Sequence, residues 1–296
     1  MSESTLAIHR KIEDARELQS VVRAMKAVAA SSIGQFEQAT AALLDYYRTV
    51  EIALGASLRL FGADSYRQIA NYSNRGQRAA IVFGSDQGLV GQFNEVVAGF
   101  AHESMGTDWL VWSVGERVEP ALREFGAQTV QFHSVPTSVE GIAPLVTKLL
   151  RETEPLMGHS ISELFLIGNR PMDASYGPKI ERILPLDAQW IKDRSELRWP
   201  TAIPPESIGG PDGLPYLIRE YLFVSIYRAC AESMASENAS RLAAMHRAEK
   251  NIQDLMEDLT RRYHRQRQRK IDEELFDVVA GFEQFREHGP TDSSAK

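Results

Sequence analysis

Apolar residues recur at every third or fourth position through both ends of this chain, while its middle carries short unbroken apolar runs. The first pattern is that of an amphipathic helix and the second that of strands buried on both faces. At the N-terminal end, Leu6, Ile8, Ile12, Leu18, Val22, Met25, Val28 and Ala29 repeat helically, with no proline and only Gly34 and Gly55 before Leu58. The spacing predicts a helix over residues 1–58. Its middle, Met25 to Ile33, is rich in small residues, so a neighbouring backbone is expected to pack closely there. At the other end no glycine or proline falls between Tyr216 and Ala280. A helix is predicted over 212–284, and at about 1.5 Å of rise per residue it extends roughly 100 Å, beyond the width of its own domain. Its apolar stripe comprises Leu242, Met245, Ile252, Leu255, Leu259 and Tyr263. The stripe breaks at Arg265 to Arg269 and resumes at Ile271, Leu275, Val278, Val279 and Phe282. A rod that is polar at such a break faces water or a polar partner. Residues 285–296 are expected to form a disordered tail.

Between the helices the period changes. Ala79 to Phe83, Trp109 to Val114, Thr129 to Val135, Glu163 to Gly168 and Lys179 to Leu184 read as strands. Asn94 to Met105, Glu116 to Phe125 and Ser138 to Glu154 read as helices. Alternation at this spacing predicts a central α/β domain over 78–185, Rossmann-like, with a mostly parallel sheet covered on both faces. A Pro- and Gly-rich connector, 186–211, then returns the chain to the second helix. Helices far apart in sequence, each too long for the domain between them, can cover one another, which predicts a long antiparallel coiled coil of the two chain ends.

Composition narrows the possibilities. The chain has 296 residues and a formal net charge of -7, against the excess of Lys and Arg that a nucleic-acid binder uses to neutralise phosphates. Arg261, Arg262, Arg265, Arg267, Arg269 and Lys270 within ten residues exclude a membrane span there. The one cysteine, Cys230, cannot form an intramolecular disulfide and reads as a small buried apolar residue. The N-terminus has no apolar signal region, and a bacterial cytoplasmic setting is expected. The sequence Gly84-Ser85-Asp86-Gln87-Gly88-Leu89-Val90-Gly91 stands where Rossmann proteins hold phosphates, but it has neither the dinucleotide glycine spacing nor a P-loop lysine. It reads as a tight turn with an Asp or Ser helix cap. The seven histidines are scattered, no Gly-x-Ser-x-Gly elbow occurs, and Asp272-Glu273-Glu274 reads as a solvated face. No catalytic residue, metal or cofactor is expected. A non-catalytic coiled-coil tether and a Rossmann-type nucleotide-binding enzyme with helical arms are the readings that the residues themselves leave open.

Three blocks carry a more specific resemblance. Ala24-Met25-Lys26-Ala27-Val28-Ala29-Ala30-Ser31, Ser85-Asp86-Gln87-Gly88-Leu89-Val90-Gly91-Gln92-Phe93-Asn94, and Ser236-Glu237-Asn238-Ala239-Ser240-Arg241 with Ala244, Met245, Ala248, Asn251, Leu259, Thr260, Tyr263, Arg267, Gln268 and Ile271 follow in order along the chain. Together they resemble the gamma subunits of rotary F-type ATP synthases. The resemblance implies a rotor shaft that couples ion flow through a membrane c ring to ATP synthesis or hydrolysis at the beta subunits. Its implied partners are the alpha and beta subunits, epsilon and the c ring, at the cytoplasmic face of a bacterial plasma membrane. It also implies that Arg267 and Gln268 contact a beta subunit, with Met25 and Lys26 opposite them near the same region. Val278, Val279 and Phe282 become an apolar bearing tip, and Ser85, Asp86, Gly88, Gly91 and Asn94 the family's loop in the central domain. Gln87 and Val90 replace the Arg and Cys of the family loop, and Asp272 departs from its C-terminal pattern. Such departures suggest a divergent branch, such as the alternate sodium-linked type.

Overall fold

A computed structural model describes residues 4–61, 76–106, 108–157, 159–172, 175–196 and 213–287. A long helix, α1 (Thr5–Phe61), precedes β1 (Gln77–Phe83), α2 (Phe93–Met105), β2 (Trp109–Val114), α3 (Val118–Glu124) and β3 (Gln128–His133). Then come α4 (Ile142–Thr153), β4 (Ile161–Met172), β5 (Ser175–Leu184), a short α5 (Ala188–Ser195) and a second long helix, α6 (Leu214–Glu287). The expected strands and helices of the middle region are all present, and α6 runs to Glu287, past the expected start of a tail at 285. Residues 288–296 lie outside the described residues. The chain divides into two compact units, one formed by the described residues of Met1–Lys26 and Met245–Lys296, the other by those of Ala27–Ala244. The boundary therefore cuts both long helices, rather than separating helices from the α/β region.

In the larger unit the five strands lie in the order β3-β2-β1-β4-β5, all parallel except β5, which pairs antiparallel with β4. Alternation along β1 shows why the strands read as unbroken apolar runs. Ala79, Ile81 and Phe83 face a core that includes Ile142, Val146 and Leu149 of α4, Leu54 and Leu58 of α1, and Leu222, Val224 and Ile226 of α6. Ala80 and Val82 face a second core with Val97, Ala98 and Ala101 of α2 and Val118 and Leu122 of α3. Both faces are covered, so alternate positions on β1 are apolar alike. Cys230 is buried in the first core, and burial pushes its thiol up to about 12.

The expected Pro- and Gly-rich connector contains α5. Prolines stand at 185 and 200 with none between, and Asp187 caps the helix by accepting from the Gln189 N–H at 2.7 Å. This helix packs on α1: a Cβ on Gly55 would lie 2.3 Å from the Arg194 carbonyl oxygen, and Arg194 Nε meets Glu51 Oε1 at 3.0 Å.

In the smaller unit α1 and α6 run antiparallel, shown by contacts that climb one helix as they descend the other: His9 with Tyr263, and Arg23 and Lys26 with Glu249. The apolar positions here differ from the stripe expected for α1. Ile8, Ile12, Ala15 and Val22 are buried, whereas Leu6, Leu18 and Val21 are more than half exposed. On α6, Met245 and Leu259 are buried and Leu255 is exposed, its neighbour Met256 being the half-buried one. Alternating steps of three and four select Ile8, Ile12, Ala15, Gln19, Val22 and Lys26 on α1. The same steps on α6 select Met245, Glu249, Ile252, Met256, Leu259, Tyr263 and Gln266. This is a 3.5-residue coiled-coil repeat. Counting apolar residues alone put Leu6, Leu18 and Leu255 on the seam because it ignored the polar residues that occupy seam positions.

Candidate functional site

Two regions combine the residues singled out by sequence. The first lies in the larger unit at the C-terminal ends of β1, β2 and β4, where a doubly wound sheet opens a ligand crevice. Here the chain fills it. Ser85 N–H donates to Asn94 Oδ1 at 2.9 Å, and Asn94 Nδ2 donates back to Ser85 Oγ at 2.9 Å. Asp86 accepts from the Glu116 N–H at 2.8 Å through one oxygen and from the Val135 N–H at 2.9 Å through the other. One carboxylate therefore ties the segments that follow β2 and β3 to the loop after β1. The expected Asp or Ser helix cap is absent: Gln92 stands at the N-cap of α2 and makes no side-chain cap bond. The turn is tight at Gly84, where a Cβ would lie 2.3 Å from Val118 Cβ, and Gly91 adopts a φ of 63°. Gly88 is half-buried in the same turn.

The C-terminal sequence block docks on this loop. Ser240 Oγ donates to the Val90 carbonyl oxygen, and the Tyr176 hydroxyl lies 2.6 Å from Ser240 Oγ. Glu237 pairs with Arg241 Nη2 at 2.6 Å, and burial raises the Glu237 carboxyl above the usual range, with Arg241 opposing the shift. Sequence reading identified both blocks but not their contact, since nothing in a single chain pairs Val90 with Ser240. Beside them Arg170 Nη1 and Arg228 Nη2 meet Glu181 at 2.7 and 2.8 Å, and Arg170 Nε meets Glu232 at 3.0 Å. Burial alone would raise the Glu181 carboxyl, but Arg228 and Arg170 hold it below its ordinary value. These polar groups join α6 to β4 and β5.

The second region is the paired helices of the smaller unit. Lys26 Nζ lies 2.6 Å from Glu249 Oε2, and Arg23 Nε lies 3.1 Å from Glu249 Oε1. Hydrogen bonds from Lys26, then Arg23, hold the Glu249 carboxyl below the usual range. Met25 is half-buried beside this contact. Arg267 and Gln268 are exposed, and among the described residues neither makes an ion pair or hydrogen bond. The expected proximity of the two pairs does not hold. Lys26 faces Glu249, eighteen positions or roughly 27 Å along α6 from Arg267, because an antiparallel pair sets Arg267 opposite the start of α1. Beyond the polar break Ile271, Leu275, Phe276, Val278 and Val279 are all exposed, at 45 to 74%. Phe282 follows in the same helix. Asp272, Glu273 and Glu274 are exposed, as expected of a solvated face.

A doubly wound sheet whose crevice is filled by side chains of the chain itself, together with two antiparallel end helices that leave Arg267, Gln268 and an apolar run exposed, defines a contact-bearing coiled-coil protein. A family model described as ATP synthase matches residues 4–284, and the chain belongs to that family. It is 27% identical over 294 residues to the ATP synthase gamma chain of Clostridium pasteurianum, covering 96% of this chain and 99% of that one. Its fold is similar to chains of the Euglena gracilis mitochondrial ATP synthase. One, in the rotor in rotational state 1, has a TM-score of 0.61 at 17% identity over 90% of this chain and 98% of that chain. Another, in the OSCP/F1/c-ring assembly in rotational state 3, has a TM-score of 0.62 at 14% identity over 99% and 98%. The gamma chain is a non-catalytic subunit of its complex, and no described helix here is long and apolar enough to cross a membrane.

Proposed function

We propose that this chain is the central shaft of an ATP synthase, turning with a membrane c ring and epsilon inside a ring of alpha and beta subunits at the cytoplasmic face of a bacterial membrane. Its task is to make three catalytic sites unequal. An orientation-dependent contact must differ in energy among the states of those sites, because a contact equal in all of them shifts no equilibrium. The observation that carries this reading is the last part of α6. Arg267 and Gln268 expose donors that are unpaired among the described residues, and the exposed apolar residues from Ile271 to Val279 follow them. A helix end this apolar needs an enclosing partner. Arg267 and Gln268 supply directional contact to a beta subunit, Arg through a planar fork that fits a carboxylate. Val278, Val279 and Phe282 turn in an apolar collar, where few directional bonds resist rotation. The loop of Ser85, Asp86, Gly88, Gly91 and Asn94 keeps the base of the shaft rigid. A Rossmann-type enzyme is disfavoured because the chain's own Asn94, Tyr176 and Ser240 occupy the crevice where a nucleotide would lie.

The reading predicts that Arg267→Ala with Gln268→Ala lowers ATP synthesis in membrane vesicles about tenfold, the equivalent of one charge-assisted hydrogen bond. The purified chain should keep its melting temperature, since neither side chain is buried. Synthesis at the unaltered rate would remove this contact from the account.

A further inference from the structure

The seam of the smaller unit is a poor determinant of its own alignment. Ile8 and Ile12 on α1 pack with Leu259 and Tyr263 on α6, and the seam continues through Ala15 and Val22 on α1 and Ile252 and Met256 on α6, so a shift by one heptad still sets apolar against apolar. One layer differs. Lys26 and Glu249 both occupy seam positions, their charged atoms are 2.6 Å apart, and each side chain is only about one-fifth exposed, at 21 and 22%. Arg23 adds a second cation on the same carboxylate, at 3.1 Å. A slip of seven residues in either direction would move Lys26 roughly 10 Å along the axis from Glu249, and would set it against Met256 or Leu242. Leaving a half-buried ammonium against an apolar side chain is costly, and a single polar seam layer is the best-attested means of fixing coiled-coil register.

We propose that Glu249 is the register-setting residue of the shaft, and that Lys26 acts inward through it and makes no contact with the beta subunit. Of the adjacent pair Met25 and Lys26, only Met25 is then left to meet the partner, and the Glu249 contact determines how far along the shaft and on which flank it does so. This rests on the shaft reading, and it replaces the outward role that the resemblance assigns to Lys26.

The two roles separate by charge reversal in the assembled complex. Cysteines at Val22 and Ile252, on facing seam positions beside the Lys26 layer, report register through the yield of their disulfide, and ATP synthesis in vesicles reports coupling. With Lys26→Glu, cross-link yield and synthesis should each fall at least threefold. Adding Glu249→Lys should restore both to within about twofold, since Arg23, one turn before position 26, can pair with the relocated carboxylate. Glu249→Gln, which keeps the side chain's size, should give an intermediate cross-link yield in a chain that still assembles. If synthesis stays low in the reversed pair while the cross-link recovers, Lys26 works on the partner and the proposal is wrong. A cross-link indifferent to all three substitutions also overturns it. A cross-link that responds as described while synthesis never changes upholds the register role and removes the contact reading instead.

Discussion

At the scale of single residues, charges recruited into fixed contacts have the clearest consequences. Glu181 receives Arg170 and Arg228, side chains only 9 and 17% exposed, and holds α6 against the β4–β5 hairpin. Removing its carboxylate leaves two largely buried cations with Glu232 and, for Arg228, the Tyr47 ring 4.6 Å away. Glu181→Ala should therefore lower stability by about 2 to 3 kcal/mol, somewhat below the range for a fully buried pair. Glu181→Gln should lose less, because the amide still accepts a hydrogen bond. The pH dependence follows from the depressed carboxyl. In the range between its folded value and the ordinary carboxylate value the unfolded chain binds more protons, so the contribution is present above that range and lost as pH falls through the folded value. Thermal melts of wild type and Glu181→Gln should therefore converge as the solution is acidified. Curves that stay parallel down to acid pH would show that the carboxylate is not what the arginines hold.

At the scale of elements, the two helices show what sequence can and cannot tell. Their existence was legible because residues 216–280 lack glycine and proline, and the sheet was legible because dry strands leave apolar runs such as Ala79 to Phe83. The seam was less so. Leu255 looks the better core residue, yet it is 50% exposed, while Met256 occupies the seam beside Leu259, which is 6% exposed. Phase along a coiled coil is set by the whole repeat, including Gln19, Lys26 and Glu249, and an apolar count discards those positions. Leu259→Ala should cost about 2 to 3 kcal/mol and speed amide exchange in residues 245–263, whereas Leu255→Ala should stay within about 0.5 kcal/mol of wild type. A larger loss at Leu255 than at Leu259 would contradict the seam assigned here. The contact between the Ser85–Asn94 loop and the Ser236–Arg241 block was not legible for a different reason. It joins Val90 to Ser240 through one hydroxyl, and no local pattern announces a bond across 150 residues. The helix α5 was hidden because prolines on both sides made the whole stretch look broken, although Asp187 was a readable cap.

At the scale of the whole molecule, the chain's own side chains fill the place where a Rossmann-like sheet ordinarily takes a ligand, and apolar side chains are exposed where a coiled coil ordinarily buries them. Three side chains of the chain itself close the crevice, while Arg267, Gln268 and the apolar residues beyond them face outward. Under the proposed shaft reading those exposed surfaces meet the alpha and beta subunits, and rotation is the claim on which the rest depends. Cys230 makes a direct measurement practicable, because it is buried and its thiol is pushed up to about 12, so it stays unreactive near neutrality. A cysteine placed at exposed Glu103, on the α/β unit, can then be labelled selectively with a bead while the alpha and beta ring is fixed to a surface. On addition of ATP the bead should turn continuously in one direction and stop when ATP is withdrawn. A bead that stays still while the same complexes hydrolyse ATP would contradict the account.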